Sequence, residues 1–137
     1  MRRDVRLRGL SSEHHHALVL ARALLRRVET GTVDTGLVRE LRAKFDGSLE
    51  PHFRVEEELL LPVLRGLGHA ALVHRIERDH ADLRSCLAAA ERGELAEVAA
   101  FAERLAEHVR FEERELFPRC EEELPDAILD EVARQAP

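Results

Sequence analysis

The sequence predicts an all-α fold: an antiparallel up-down four-helix bundle with a short C-terminal fifth helix. Three observations carry that reading. Leu, Ala, Glu and Arg dominate, and all are good helix formers. Apolar residues recur at helical spacing through four long stretches, so each stretch has one core-facing stripe. Gly and Pro fall at intervals that cut the chain into long helical stretches, although Gly47 and Pro51 lie inside one of them.

The first stretch runs from about Ser12 to Glu29, with Ser11 or Ser12 as its N-cap. Gly31 ends it. Leu10, Ala17, Leu18, Ala21, Leu24, Leu25 and Val28 form its apolar face, with His14 in the middle. Of three consecutive histidines only His14 faces inward, because His15 and His16 share the angles of Arg22, Arg26 and Arg27. The second stretch runs from about Thr35 to Leu64, with Leu41, Phe45, Leu49, His52, Glu56, Leu59, Leu60 and Val63 inward. Pro51 lacks an N–H and clashes with the turn before it, which predicts a kink or short break just before His52.

The third stretch runs from about Ala70 to Arg92, with Val73, Ile76, His80, Leu83, Leu87 and Ala90 inward. The fourth runs from about Glu94 to Phe117, with Val98, Phe101, Leu105, His108, Glu112 and Leu116 inward. A short helix over about 125–134 starts at Pro125, a favourable first-turn residue. It docks through Ile128, Leu129 and Val132.

A length of 137 residues fits a single domain, 1–137, whose bundle spans about 10–118. The net charge of -6 argues against general nucleic-acid binding. No apolar run is long enough to span a bilayer, and no apolar segment follows the arginines at positions 2, 3, 6 and 8. Those arginines read as a solvated arm or a helix entry. Cys86 and Cys120 make no disulfide framework and read as reduced thiols in a cytoplasmic protein.

One motif occurs twice. HFRVEEELLLP (52–62) aligns without gaps to HVRFEERELFP (108–118). Each copy puts a His and a Glu four apart, on one helix face. The chain therefore reads as a duplication: a helix with a lone inward His, then a helix with His-x-x-x-Glu, then the same pair again. That predicts a site of approximate two-fold symmetry.

The inward polar residues are His14, His52, Glu56, His80, His108 and Glu112. Two buried carboxylates facing each other would repel and lose their hydration. One or two dications between them remove both problems, and bundles hold paired metals in this way. Four His and two Glu give each of two metals two imidazoles, with both carboxylates bridging and positions left open for a small ligand. Mixed nitrogen and oxygen donors suit iron, then manganese, then zinc. Glu57, Glu58, Glu113 and Glu115 read as solvated faces, and His69 and His74 as surface residues. Glu77, three before His80, remains open as an extra ligand.

The pattern resembles the hemerythrin-like, or HHE cation-binding, domain family. The resemblance rests on His14 after Glu13, His52-x-x-x-Glu56, His80 after Asp79, and His108-x-x-x-Glu112, and it runs from about Leu10 to Pro118. It implies a non-haem di-iron centre with a bridging oxo or hydroxo group. His14 and His52 would bind one iron, His80 and His108 the other, and Glu56 and Glu112 both. Two departures matter. Oxygen-carrying hemerythrins have a further His one turn before the third-helix His, where this chain has Ile76. They also space the fourth-helix His and an Asp by five, where this chain has Glu at four.

The expected function is therefore a metal- and gas-binding module rather than an enzyme. Its ligand would be dioxygen, nitric oxide or peroxide, or it would sense iron. The alternatives are a di-iron peroxide-decomposing enzyme and a structural bundle holding zinc or manganese. No protein partner is specified by the sequence.

Overall fold

A computed structural model describes residues 2–137, which form an all-helical bundle of five helices with no strand among the described residues. Helix α1 is Arg8–Glu29 and α3 is Ala70–Glu91. Helices α2 (35–66) and α4 (97–123) are composite, because each contains widened turns. Helix α5 is Asp126–Gln135. Helix α1 packs on α4, α4 on α3, and α3 on α2.

The widened turns explain why the prolines do not break the helices. Phe45–Leu49, Glu56–Leu60 and Glu112–Leu116 are π-helical, and each is followed within two residues by Pro51, Pro62 or Pro118. In each turn the closing bond spans five residues: Glu50 N to Phe45 O, Leu61 N to Glu56 O, and Phe117 N to Glu112 O. The extra residue moves aside the carbonyl that the proline ring would strike and that its missing N–H would leave unpaired. The kink expected before His52 is thus a π-turn inside a continuous helix. Two of the three π-turns begin at Glu56 and Glu112, equivalent residues of the repeated motif.

The start of α1 also differs from expectation. Ser11 and Ser12 lie inside the helix, so neither caps it. A 3-10 turn, Val5–Leu7, precedes it, and the Asp4 side chain caps that turn by accepting from Arg6 N. Arg3 and Arg6 are only partly exposed, and both are ion-paired. Arg3 pairs with Glu113 and Glu121, and Arg6 with Asp4, Asp126 and Asp130. At the other end, Val28 lies outside the core, 37% exposed. Helix α4 starts at Glu97, after the turn at Gly93, and continues through Pro118 to Glu123. Gly31 (φ 68°) and Gly93 (φ 103°) hold left-handed turns after α1 and α3, a conformation that a side chain would disfavour.

Helix α5 begins at Asp126, with Pro125 at its N-cap position. Leu129 and Val132 are buried against the 3-10 turn and α2, with Ile128 half-buried beside them. The chain end then crosses α1 so closely that a methyl group at Gly9 would overlap the Ala136 carbonyl. Helix propensity alone favours Gly9→Ala by about 1 kcal/mol. Overpacking costs about 1–3 kcal/mol and should win. Chemical denaturation is expected to show a net loss of stability, whereas a gain would mean that the tail moves freely away.

Buried apolar side chains form two clusters. One contains Ala21, Leu41, Phe45, Leu87, Phe101 and Leu105, and the other contains Leu10, Leu61, Ile76, Phe117 and Leu129. Burying each large side chain contributes roughly 1.5–3 kcal/mol. His14, His52, Glu56, His80, His108 and Glu112 lie where the clusters meet along the four long helices. Along α1 and α3 the chain passes from the second cluster to the first; along α2 and α4 it returns. No described helix is long and apolar enough to cross a membrane.

Candidate metal centre

The apolar clusters leave one polar layer, and all six inward polar residues from the sequence meet in it. Each is at most 4% exposed, and Glu56, His80 and Glu112 are fully buried. The side chains sort into two groups that share the carboxylates. One is His14, His52, Glu56 and Glu112; the other is Glu56, His80, His108 and Glu112. In each group one donor atom per residue lies within 4.8 Å of the others.

Each carboxylate turns one oxygen to each group. Glu56 Oε2 is 3.1 Å from His52 Nε2, and its Oε1 is 3.1 Å from His80 Nε2. Glu112 Oε1 is 2.7 Å from His14 Nε2, and its Oε2 is 3.1 Å from His108 Nε2. The repeated motif sets this up, since His and Glu four apart stack on one face. The symmetry predicted from the duplication is present in these contacts.

The donor set fits cations. Glu56 Oε1, Glu112 Oε2, His80 Nε2 and His108 Nε2 are buried without a hydrogen-bond partner. Such orphans are costly and rare in a folded interior. His14 Nε2 and His52 Nε2 lie 3.0 Å apart.

The other ring nitrogen of every histidine meets a second carboxylate. His14 Nδ1 is 2.7 Å from Glu113, His52 Nδ1 3.3 Å from Glu13, His80 Nδ1 2.6 Å from Glu57, and His108 Nδ1 3.0 Å from Asp79. A proton held on Nδ1 and donated to that carboxylate turns the Nε2 lone pair inward, as metal-bound imidazoles require. The contacts run from helix to helix. The acid before His14 on α1 serves His52 on α2, and the acid before His80 on α3 serves His108 on α4. The acid after Glu56 on α2 serves His80, and the acid after Glu112 on α4 serves His14.

Glu57 and Glu113 are therefore not the solvated residues that the sequence suggested. Glu77, open as an extra ligand, is exposed and pairs with Arg65 at 2.9 Å, away from the centre. His15, His16 and His74 are exposed, and half-buried His69 pairs with Glu123. Ile76 is fully buried and offers no donor. Cys86 and Cys120 are buried free thiols. The signal for the outer carboxylates was an acid directly before His14 and His80 and directly after Glu56 and Glu112, the same in both halves.

Electrostatics in the metal-free protein show the same demand for positive charge. Burial opposes protonation of His80 and His108, but the surrounding carboxylates outweigh it and raise them to about 11 and about 9. The same balance raises His14 and His52. Burial works against the ionised form of Glu112, yet the adjacent imidazoles hold it well below the usual carboxylate range. Glu57, bonded to His80 and Arg84, is lowered to about 2 despite partial burial. Glu57→Gln, which removes that charge, is expected to weaken divalent-cation binding about 10–100-fold in calorimetry. An unchanged affinity would mean that Glu57 serves Arg84 alone.

Two clefts approach the layer from outside. One, of about 390 Å³, lies beside Glu13, Leu20, Ser48 and His52. The other, of about 270 Å³, lies beside Arg75, Asp79, Arg104 and His108. A family model described as Hemerythrin HHE cation binding domain matches residues 6–120. No curated protein and no solved structure matches the chain.

Proposed function

The chain belongs to the hemerythrin HHE cation-binding domain family, and from that premise we propose that it is a non-haem di-iron module binding or sensing dioxygen, nitric oxide, peroxide or iron. The four long helices then form an antiparallel up-down bundle. The alternating passage of the chain between the two apolar clusters supports that topology.

In this reading His14 and His52 hold one iron, His80 and His108 the other, and Glu56 and Glu112 span both. The single observation that carries it is that each central carboxylate turns one oxygen to each histidine pair. Two iron ions with an oxo or hydroxo bridge would supply electron transfer to, or reversible binding of, a small oxidant. The protein's own residues do the rest. Glu113, Glu13, Glu57 and Asp79 hold the imidazole protons and orient the rings. The two apolar clusters exclude water above and below the layer. Ile76, fully buried one turn before His80, offers no donor, so a metal held by His80 and His108 would have room for an exogenous ligand. Buried, unpaired Cys86 and Cys120 suit a reducing, cytoplasmic setting.

Anaerobic reconstitution with ferrous iron tests the proposal. Two irons per chain and charge-transfer absorption on admitting air are expected. Fewer than about two irons, with no new absorption, would overturn it. Preferential retention of zinc or manganese after growth without added metal would favour the structural bundle instead.

A further inference from the structure

Two of the outer carboxylates sit in matching surroundings built from non-equivalent parts of the chain. In one, Glu57 Oε2 is 2.6 Å from His80 Nδ1 and accepts from Arg84 Nη1 at 3.0 Å. The same guanidinium lies 5.6 Å from the centroid of Phe53, and the Phe53 ring stacks on His80 at 4.0 Å and 14°. In the other, Glu113 Oε2 is 2.7 Å from His14 Nδ1. Arg3 Nη2 donates to Glu113 Oε1 at 3.3 Å and to its main-chain oxygen at 3.1 Å. The Arg3 guanidinium lies 5.4 Å from the centroid of Phe117, and the Phe117 ring stacks on His14 at 4.9 Å and 8°.

Both surroundings contain an imidazole, a carboxylate, a guanidinium and a phenyl ring. Their sources differ. Arg84 is one turn after His80 on α3, whereas the residue one turn after His14 is Leu18. The first half of the duplication lacks an arginine on that helix, and the arm before α1 supplies one. The arm is fixed for the purpose: Glu121 accepts from Arg3 and, at 2.6 Å, from Asp4 N. Arg3 also precedes residue 6, where the family match begins.

We infer that Arg3 is a positioning residue for the cation held by His14 and His52, acting through Glu113 and Phe117 as Arg84 acts through Glu57 and Phe53 on the other half. This rests on the two-metal reading above. The guanidinium holds the carboxylate in the direction that accepts the His14 ring proton. The phenyl ring, in contact with both guanidinium and imidazole, fixes the tilt of the imidazole. A planar fork does both tasks; a point charge does only the first.

Cobalt(II) is the probe. Wild type, Arg3→Gln, Arg3→Lys and Arg84→Gln are loaded with it, and release to excess chelator is followed by absorbance. Arg3→Gln is expected to release one cobalt about 10–100-fold faster and the other at the wild-type rate. Arg84→Gln should likewise accelerate one ion only, and the double variant both. Arg3→Lys should restore part of the loss.

In the metal-free proteins the imidazole N–H resonances supply a second readout, independent of metal. The His14 signal should broaden by exchange in Arg3→Gln while that of His80 persists, with the reverse in Arg84→Gln. Wild-type release rates together with an intact His14 signal in Arg3→Gln would overturn the inference. So would equal acceleration of both ions with broadening of all four signals, because the arm would then be a general structural brace. Fewer than two cobalt ions in wild type would count against the two-metal reading, and the imidazole signals alone would then decide the role of Arg3.

Discussion

Saturating ferrous iron is expected to raise the melting temperature of the metal-free protein by about 15–25 °C, and Glu112→Gln to abolish most of that rise. A ligand present at 100 times its dissociation constant stabilises the native state by about 2.7 kcal/mol, so two such sites contribute roughly 5 kcal/mol. For a chain of this size each kcal/mol moves the midpoint by about 3–5 °C. Glu112, like Glu56, is informative because its oxygens reach both halves, at 2.7 Å from His14 and 3.1 Å from His108. The amide keeps the shape and removes the charge, so fewer than one iron per chain should remain. Calorimetry under argon, with and without chelator, makes the measurement. A rise in Glu112→Gln equal to that of wild type would remove the bridging role.

Raising the pH of the metal-free protein from about 6.5 to about 11 is expected to lower its stability by several kcal/mol. The sign follows from the histidines. His80 and His108 have folded-state values raised to about 11 and about 9, from an ordinary value of 6.5. Burial disfavours their charged forms, but the carboxylates around them favour those forms more strongly. Their stabilising contribution is complete below pH 6.5, where folded and unfolded chains are both protonated. It is lost as pH climbs through the folded values, because only the folded state then still holds the protons. Each tenfold gain in proton affinity on folding corresponds to about 1.4 kcal/mol, and His14 and His52, raised by the same balance, act in the same direction.

The carboxylates act at the other end. Glu57 is lowered to about 2, and its contribution is present above pH 4.5 and lost as pH falls toward 2. Iron should reverse the alkaline trend. The same imidazoles must lose a proton to bind it, so affinity should fall on acidification as pH drops below about 11 and then about 9. Urea denaturation across pH, with and without metal, tests both limbs. A metal-free protein whose stability stays flat from pH 7 to 10 would show that the imidazoles are already neutral.

Some features of this chain follow from local rules, and the order of residues suffices for them. A helix turns by a constant angle per residue, so spacing alone assigns His14, His52, Glu56, His80, His108 and Glu112 to the inner faces. The gap-free repeat adds the symmetry. The turn glycines mark the ends of α1 and α3 because few other residues accept a positive φ. The prolines are ambiguous, since a proline can kink a helix, end it or be absorbed by a π-turn. The choice depends on whether the packed neighbours favour a continuous rod, as they do around Pro51, Pro62 and Pro118.

The outer parts of the site belong to tertiary structure. Glu57 and Glu113 stand about a third of a turn from the inner stripe, and a single helix gives no reason to call them anything but solvated. Only the approach of α3 to α2, and of α1 to α4, brings an imidazole nitrogen to each. The same holds for Arg3, whose partner Glu113 is 110 residues away. Periodicity along one helix determines which residues face inward, whereas contacts between helices depend on how those helices pack. The inner donors were therefore set by the order of residues, and the groups that orient them were decided by the fold.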